Sequence, residues 1–196
     1  MVSGGVASPY DPLDSLPVLD RTRSGAAVEE AAAFKRYVCA HAYPANAIAR
    51  AVECGVRVIE HGNLHRRVHG QAHGQEEAFL VPTLVAYDAI SQPPPPNSAW
   101  ARRASRRTRS SWRPASARSE LAKRAGVRMA FGSDLLGQLQ PDQSKEFLLR
   151  GEALSPREII HSATIVGAEL LGRVGELGVI APGALADLLV VDGNHV

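Results

Sequence analysis

Short apolar runs that lead into a polar residue recur along this chain, and they constrain its fold more than any other feature. The runs occupy 37–41, 56–60, 79–84 and 127–132. Patterns typical of helices lie between them, at 44–54 and in a helix that ends near 121–126. This alternation is typical of β-α units with a parallel sheet, and it is not the pattern of β-hairpins. The sequence therefore predicts an α/β fold.

Three of the four residues at the ends of these runs have the chemistry of metal ligands. The runs end at His41, His61, Thr83 and Asp134. In parallel α/β folds, reactive groups gather at the carboxyl ends of strands, where loops and helix N-termini converge. Two imidazoles and a carboxylate at that edge form a candidate metal cluster. The alternative, that each histidine is a hydrogen-bonded structural residue, stays open at this point.

The C-terminal part predicts a helix followed by β-structure. Ser155, Pro156 and Glu158 form a capping box with proline at the first helical position, and the helix is expected to run to Leu171. The tail at 178–192 predicts two short strands around a Pro-Gly turn. We therefore predict an α/β domain over 1–172 and a small β-appendage over 173–196.

One stretch, at 91–119, interrupts the pattern. It contains seven arginines and a run of four prolines, with no acidic residue and no Val, Ile or Leu. Because it offers no apolar side to a core, we expect a disordered or poorly packed loop. Residues 65–73 also lack the spacing of apolar residues that is typical of an amphipathic helix. Two explanations stay open, a basic insertion and translation out of frame from GC-rich DNA.

Composition excludes some classes of protein. The formal net charge of +2 is too small to argue for nucleic-acid binding. No run approaches the ~18 apolar residues of a membrane-spanning helix, and the N-terminus has no signal-peptide pattern, so we expect a cytoplasmic protein without a membrane partner. Cys39 and Cys54 make no disulfide framework, and we expect both to be buried small hydrophobic residues in a reducing compartment.

Five short motifs together resemble the metal-dependent amidohydrolase superfamily. They are VCAHAY at 38–43, VIEHGN at 58–63, VPTL at 81–84, AFGSD at 130–134 and LGVIAPGALADL at 177–188. Their order and spacing are similar to those of the superfamily. The combination is most similar to its imidazolonepropionase-like and Xaa-Pro dipeptidase-like branch. Each motif alone is weak, whereas the set is specific.

The resemblance implies a partial (β/α)₈ TIM barrel, about strands 4–8, with a C-terminal piece of a small β-sandwich. It also implies hydrolysis of C–N bonds in amides or peptides by a metal-activated water. His41 and His61 would be metal ligands at the ends of the fifth and sixth barrel strands. Asp134, at the end of the eighth strand, would touch the metal and take a proton from the water. Tyr43 would donate to the developing oxyanion.

The resemblance also implies a cofactor and partners. Neutral imidazoles suit zinc and similar borderline ions, so we expect a divalent metal, with zinc preferred. Members of the family hold one or two metals, and we expect at most one here. The implied substrate is a small amide or dipeptide. Further copies of this chain or a separate N-terminal half are the expected protein partners.

The sequence also departs from the family's pattern. The His-x-His pair of the first barrel strand is absent, since His69 and His73 are spaced by four, and the lysine at the end of the fourth strand is missing. The chain therefore resembles the C-terminal half of such an enzyme. A half-barrel leaves two open sheet edges, so we expect weak activity or none from the isolated chain.

Two other functional interpretations stay open. A truncated or frameshifted fragment would be catalytically inactive and would carry the motifs by inheritance. A nucleic-acid-binding module, which we rank last, would use arginines interleaved with Trp100 and Trp112. Those arginines are Arg102, Arg103, Arg106, Arg107, Arg109, Arg113 and Arg118. We expect Glu60 to be a structural carboxylate and not a catalyst.

Overall fold

In the part of the chain that the structure describes, five parallel strands form one sheet, and they lie side by side in the order of the sequence. The computed structural model describes residues 2–3, 20–64, 78–92 and 114–193. The strands are β1 (Val2–Ser3), β2 (Cys39–Pro44), β3 (Val58–Leu64), β4 (Phe79–Val81) and β5 (Arg128–Met129). A parallel sheet whose strand order follows the chain is what a segment of a (β/α) barrel requires. The predicted α/β fold is confirmed.

Helices connect and cover the strands. They are α1 (Arg21–Ala33), α2 (Ala45–Glu53), α3 (Leu84–Ser91), α4 (Ala115–Arg124), α5 (Lys145–Arg150), α6 (Pro156–Ala163) and α7 (Ile165–Leu170), with a 3₁₀ helix at Gly137–Ser144. The sequence pattern predicted α2 and α4 and left α1 unassigned. No helix among the described residues is long and apolar enough to cross a membrane.

The main hydrophobic core lies between the helices and one side of the sheet, which we call the outer side. The opposite side is the inner side. On β2, the small side chains of Ala40 and Ala42 point to this side, and they let Ala47 and Ile48 of α2 pack closely. The same core continues across the sheet and into α4 and α6. Its other members include Ile59, Leu80, Ala122, Met129 and Ile159. Burial of these residues holds the strands in the order that brings their carboxyl ends together.

The helix α7 packs on the inner side of the sheet. Its Val166 lies in one buried cluster with Val58 and Phe79, the first residues of β3 and β4. Arg57, just before β3, donates from Nη2 to the Glu169 carbonyl at 3.1 Å. Since these contacts lie at the starts of the strands, α7 covers the amino edge of the inner side and not the carboxyl edge.

A buried ion pair ties α5 to the end of β5. Arg150 and Glu146 are fully buried, and Arg150 Nε donates to Glu146 Oε1 at 2.9 Å. Arg150 Nη2 also donates to the Ala130 carbonyl at 2.9 Å. In the register of β4 and β5 that carbonyl faces Pro82, which has no N–H to offer. The guanidinium therefore replaces a missing ladder hydrogen bond.

The helix predicted from Ser155 to Leu171 is two helices that separate at Thr164. The capping box is present, since the Ser155 hydroxyl accepts from the Glu158 N–H at 3.3 Å and Glu158 Oε2 accepts from the Ser155 N–H at 2.8 Å. Thr164 has φ −118° and ψ −83°, outside the helical range. Its hydroxyl donates to the carbonyl four residues earlier at 2.7 Å. This local bond competes with helix continuation, and the break turns α7 onto the sheet.

The segment after α7 has the predicted turn without the two predicted strands. The Ala184 N–H donates to the Ala181 carbonyl at 3.1 Å across the Pro-Gly pair. Within the described residues 173–193, strand-like pairing is limited to a bridge between Val174 and Leu177. A strand needs a neighbouring strand for its hydrogen-bond ladder, and the described residues place none beside this segment. The division into 1–172 and 173–196 stays a prediction.

The two interrupting windows lie mostly outside the described residues. Residues 65–77, with His69 and His73, and residues 93–113 are not described, so the predictions for them stay untested. Residues 115–119 are an exception, because they begin α4. Arg118 is buried there, 5.8 Å from the centroid of the Tyr87 ring. The expectation of a poorly packed loop is wrong for these residues, and Arg118 is not accessible to a nucleic acid.

The prediction that both cysteines are buried is wrong for Cys39. Cys39 opens β2 and is exposed, while Cys54 is half-buried at the C-terminal end of α2, and neither is part of a disulfide. Cys39 lies on the inner side of β2, whereas Ala40 and Ala42 point to the opposite side and are buried. On the inner side, α7 packs against β3 and β4, and Cys39 of β2 stays exposed.

Candidate metal centre

Two histidines meet at the carboxyl edge of the sheet. β2 and β3 are parallel, and their register pairs His41 with Glu60 and Ala42 with His61, so His41 and His61 lie on neighbouring strands one residue apart along the strand direction. His41 Nδ1 lies 2.8 Å from His61 Nε2, and the ring centroids are 5.0 Å apart. His41 is exposed and His61 is buried. The structure thus brings together the two imidazoles that the sequence placed at strand ends.

Thr83 fixes the orientation of the buried imidazole. His61 Nδ1 lies 2.7 Å from Thr83 Oγ1, within the buried interior. If Nδ1 carries the proton and donates to this hydroxyl, the lone pair of Nε2 points towards His41. A hydrogen bond on the far nitrogen of a histidine is the usual way in which proteins orient a metal-binding ring. Thr83 was recognised in the sequence as a strand end without an assigned role.

The backbone is strained at three of the four strand ends. His61, Thr83 and Asp134 have φ values of 74°, 44° and 51°. Left-handed backbone is uncommon for residues with a Cβ, and for a β-branched threonine it is an outlier. Such conformations cost on the order of 1–3 kcal/mol each and cluster at functional sites. Their concentration at this edge marks it as the candidate site independently of the side chains.

An aromatic cluster surrounds His61. The Tyr43 ring is stacked on the His61 ring with centroids 5.1 Å apart and planes inclined by 2°. The Tyr87 ring meets the His61 ring edge-on at 5.3 Å. Both tyrosines are buried, and Tyr43 has a side-chain hydrogen bond with Tyr87. Sequence reasoning missed Tyr87, whose only signal is its place on the helix that follows Thr83.

Burial determines the charge state of His61. Burial first, and then the neighbouring His41 and Arg118, lower the pKa of the imidazole from its ordinary 6.5 to about 3. A neutral imidazole is the form that binds a metal. Arg118 lies behind Tyr87, and burial lowers its own pKa to about 10, which leaves the guanidinium charged at neutral pH. The buried guanidinium of Arg118 therefore places a positive charge next to Tyr87 of this aromatic cluster.

Asp134 lies at the same edge and is exposed. Burial raises the pKa of the Tyr43 phenol, and the Asp134 charge raises it further. The pKa of the Glu60 carboxyl is also raised by burial first and by Asp134 second. Asp134 therefore lies close enough for its charge to act on the Tyr43 phenol and on the Glu60 carboxyl. Glu60 precedes His61 on β3 and pairs with His41 in the register of the sheet.

The two imidazoles fit a divalent metal as a pair of donors. In a tetrahedral site with Zn–N bonds of 2.0–2.1 Å, two ligand nitrogens lie about 3.3 Å apart. The present separation is 2.8 Å, so an outward movement of about 0.5 Å by the exposed His41 ring would make room for an ion. Among the described residues, no group of three His, Cys, Asp or Glu side chains is placed to hold an ion. The pair thus suits a metal, but a third protein ligand is not in position.

Comparisons with known proteins identify the family. The model of the amidohydrolase family matches residues 25–196, and the chain belongs to that family. A solved amidohydrolase is 47% identical, with a TM-score of 0.84, over 98% of this chain and 46% of that one. A prolidase solved in complex with N-methylphosphonate-L-proline is 45% identical, with a TM-score of 0.85, over 98% of this chain and 47% of that one.

A more distant structure points the same way. A Xaa-Pro dipeptidase solved with methionine in its active site is 26% identical, with a TM-score of 0.78, over 98% of this chain and 47% of that one. No curated protein sequence matches the chain. The chain spans about half the length of the solved structures it resembles. The predicted resemblance to amidohydrolases of the dipeptidase-like branch and the predicted partial barrel are both confirmed.

Proposed function

We propose that this chain carries part of the active site of a metal-dependent hydrolase that cleaves C–N bonds in small amides or dipeptides. The observation that carries the proposal is the His41–His61 pair, whose facing nitrogens lie 2.8 Å apart at the carboxyl edge of the sheet. The backbone of His61 is strained and Thr83 orients its ring towards His41, an arrangement that is common where side chains are placed for a reaction. Family membership supplies the class of reaction.

His41 and His61 would hold the metal, and zinc suits their neutral imidazoles best. When bound, a divalent ion supplies a Lewis acid for the scissile carbonyl and makes a water more acidic. Asp134, exposed at the same edge, would accept the proton of the attacking water and later give it to the leaving amine nitrogen. The stack on His61 holds the Tyr43 ring in place, so that its phenol could donate to the developing oxyanion.

Two solved relatives support a dipeptide with proline on the amine side of the bond as the substrate. One is described as a prolidase and the other as a Xaa-Pro dipeptidase. Such substrates have a tertiary amide, and the leaving amine is the ring nitrogen of proline. Since neither cysteine is part of a disulfide, we keep the cytoplasm as the expected location.

A catalytically inactive chain is the second candidate, and two observations favour it. The chain spans about half of each solved relative. No third ligand joins the histidine pair among the described residues. For these reasons we expect turnover by the isolated chain to be slow or absent, even if the histidine pair binds a metal.

Calorimetric titration with N-methylphosphonate-L-proline tests the proposed function without requiring turnover. The phosphonate oxygens mimic the tetrahedral intermediate of amide hydrolysis. We expect the chain to bind this compound when Zn²⁺ is present and to lose binding when Zn²⁺ is chelated or when His41 is changed to alanine. His161→Ala, at an exposed histidine of α6, is the matched control and should bind as wild type. Binding that ignores Zn²⁺ and His41, or no binding at all, would contradict the proposal.

A further inference from the structure

We propose that Glu146 is a positioning residue for the histidine pair, because it caps the helix α3 in place of Thr83 and so leaves the Thr83 hydroxyl to orient His61. The inference rests on the proposed function, in which His61 is a metal ligand. It adds to that site a buried carboxylate that comes from α5 and not from a strand end.

Thr83 lies at the N-cap position of α3 but does not act as its cap. An N-cap residue usually has extended backbone, and its side-chain oxygen accepts from the N–H two or three residues later. Thr83 has φ 44° and ψ 51°, in the left-handed region, and within the described helix its side chain makes no capping hydrogen bond. Its hydroxyl lies 2.7 Å from His61 Nδ1 instead. The group that would ordinarily close the start of α3 is therefore used for the imidazole.

Glu146 supplies the cap from a distant part of the chain. Its Oε2 accepts from the Val85 N–H at 2.8 Å in the buried interior, across a separation of 61 residues. Val85 is the second residue of α3, so its N–H is one that an N-cap side chain would ordinarily take. A carboxylate at this end of a helix is also stabilised by the helix dipole. Because of Glu146, Thr83 does not need to turn its hydroxyl towards the helix.

The ion pair with Arg150 holds the Glu146 carboxylate in this place. The other carboxylate oxygen, Oε1, accepts from Arg150 Nε at 2.9 Å, and both side chains are fully buried. Arg150 in turn donates to the Ser162 hydroxyl at 3.1 Å and to the Ala130 carbonyl at 2.9 Å. Since its two oxygens bind two different elements, the carboxylate is fixed in direction as well as in position.

The alternative is that Glu146 serves only to neutralise the buried Arg150. That interpretation accounts for Oε1, but it gives no role to Oε2, which binds the residue two positions after Thr83. It also leaves the left-handed backbone of Thr83 unexplained, because strained backbone persists only where neighbouring contacts fix it. A cap that comes from α5 is a contact of this kind, and it connects Glu146 to the orientation of His61.

NMR of the metal-free chain at neutral pH tests this role without zinc and without turnover. The chemical shifts of the two His61 ring nitrogens report which of them carries the proton. In wild type we expect the proton on Nδ1, because only then does the ring donate to the Thr83 hydroxyl. A His61 ring protonated on Nε2 in the wild-type chain would overturn the proposal, and this measurement requires no variant to fold.

Variants of Glu146 make the test specific. Glu146→Leu combined with Arg150→Met removes the cap without leaving the Arg150 charge buried alone. We expect Thr83 then to cap α3 itself, so that the share of His61 protonated on Nε2 rises by about tenfold, the effect of losing one hydrogen bond. Glu146→Gln keeps an oxygen for the Val85 N–H and should keep the wild-type tautomer. If the double variant does not fold, Glu146→Asp takes its place, because it keeps a carboxylate near Arg150 but withdraws it from Val85 by one methylene.

Ser155→Ala is the matched control, since it removes the side-chain cap of another helix, α6. It should lower the stability of the chain and leave the His61 tautomer unchanged. A folded variant without the Glu146 cap that keeps the wild-type tautomer, a Glu146→Gln variant that loses it, or a control that shifts it equally would each overturn the proposal. If the tautomers change as expected while the phosphonate titration fails, the proposed function is refuted and the role of Glu146 in orienting His61 stands.

Discussion

At the scale of single residues, Thr83 joins backbone strain to the orientation of the metal-binding ring. Its φ of 44° is one that a β-branched residue rarely adopts. Its hydroxyl lies 2.7 Å from His61 Nδ1 and directs the opposite nitrogen at His41. The surrounding contacts hold a conformation that the residue would otherwise leave, as is common where side chains must be placed for a reaction.

Two substitutions at Thr83 separate these two effects. Thr83→Val keeps the shape and the strain but removes the hydroxyl from a buried ring nitrogen, so we expect a loss of about 1–3 kcal/mol in the free energy of unfolding. Thr83→Ser keeps the hydroxyl and relieves the β-branched strain, so its loss should be smaller. Urea unfolding of the three proteins measures the difference. A serine variant as unstable as the valine variant would show that the hydrogen bond is not what matters.

Only part of the candidate site could be predicted from the amino-acid sequence alone. His41 and His61 could be predicted because each ends an apolar run, and the ends of parallel strands meet at one edge. Tyr87 and Arg118 could not, because their contacts with each other cross between α3 and α4 and carry no local pattern. The sequence pattern around Arg118 predicts a poorly packed loop. Its buried place depends on the aromatic face of Tyr87, which only the folded chain brings near.

At the scale of elements, local chemistry explains where the predicted boundaries hold and where they fail. β4 ends at Val81, earlier than its apolar run, and the following Pro82 has no N–H for the ladder. The helix predicted as one unit divides at Thr164, whose hydroxyl bonds to the helix before it. Apolar periodicity predicts that an element exists, but single residues of this kind set its ends.

The start of α6 gives a pH-dependent prediction. Hydrogen bonds from Lys123, then from the backbone and hydroxyl of Ser155, lower the pKa of Glu158 from its ordinary 4.5 to about 2. A carboxyl whose pKa is lower in the folded state stabilises the fold fully above pH 4.5 and loses this effect as the pH falls from 4.5 towards 2. We expect Glu158→Gln to cost about 0.5–1 kcal/mol at pH 7, because the amide oxygen can keep the capping hydrogen bond while the charge that pairs with Lys123 and the helix N-terminus is lost. The difference from wild type should narrow at pH 3.

Urea unfolding at pH 7, 5 and 3 measures this difference. Glu152→Gln, at an exposed glutamate in the turn after α5, is the matched control and should stay within about 0.5 kcal/mol of wild type at each pH. An equal cost of Glu158→Gln at all three values would show that its ionised form does not stabilise the helix start.

At the scale of the whole molecule, the chain is one side of a barrel with its chemistry at one edge. The chain aligns with about half of each solved relative, and within the described residues β1 and β5 lie at the two edges of the sheet. The fold class could be predicted because β-α alternation survives within a part of a barrel. The pairing of the C-terminal segment could not, because it requires a neighbouring strand that the described residues do not include. A third metal ligand is absent from the described part of the site for a similar reason, since barrel sites draw ligands from several strands.

The zinc content of the purified chain shows whether the His41–His61 pair is an assembled metal site. Elemental analysis would compare wild type, a His41→Ala, His61→Ala double variant and the His161→Ala control. We predict about one zinc per chain in wild type and in the control, and almost none in the double variant. A folded wild-type chain without zinc, or a double variant with as much zinc as wild type, would contradict the account.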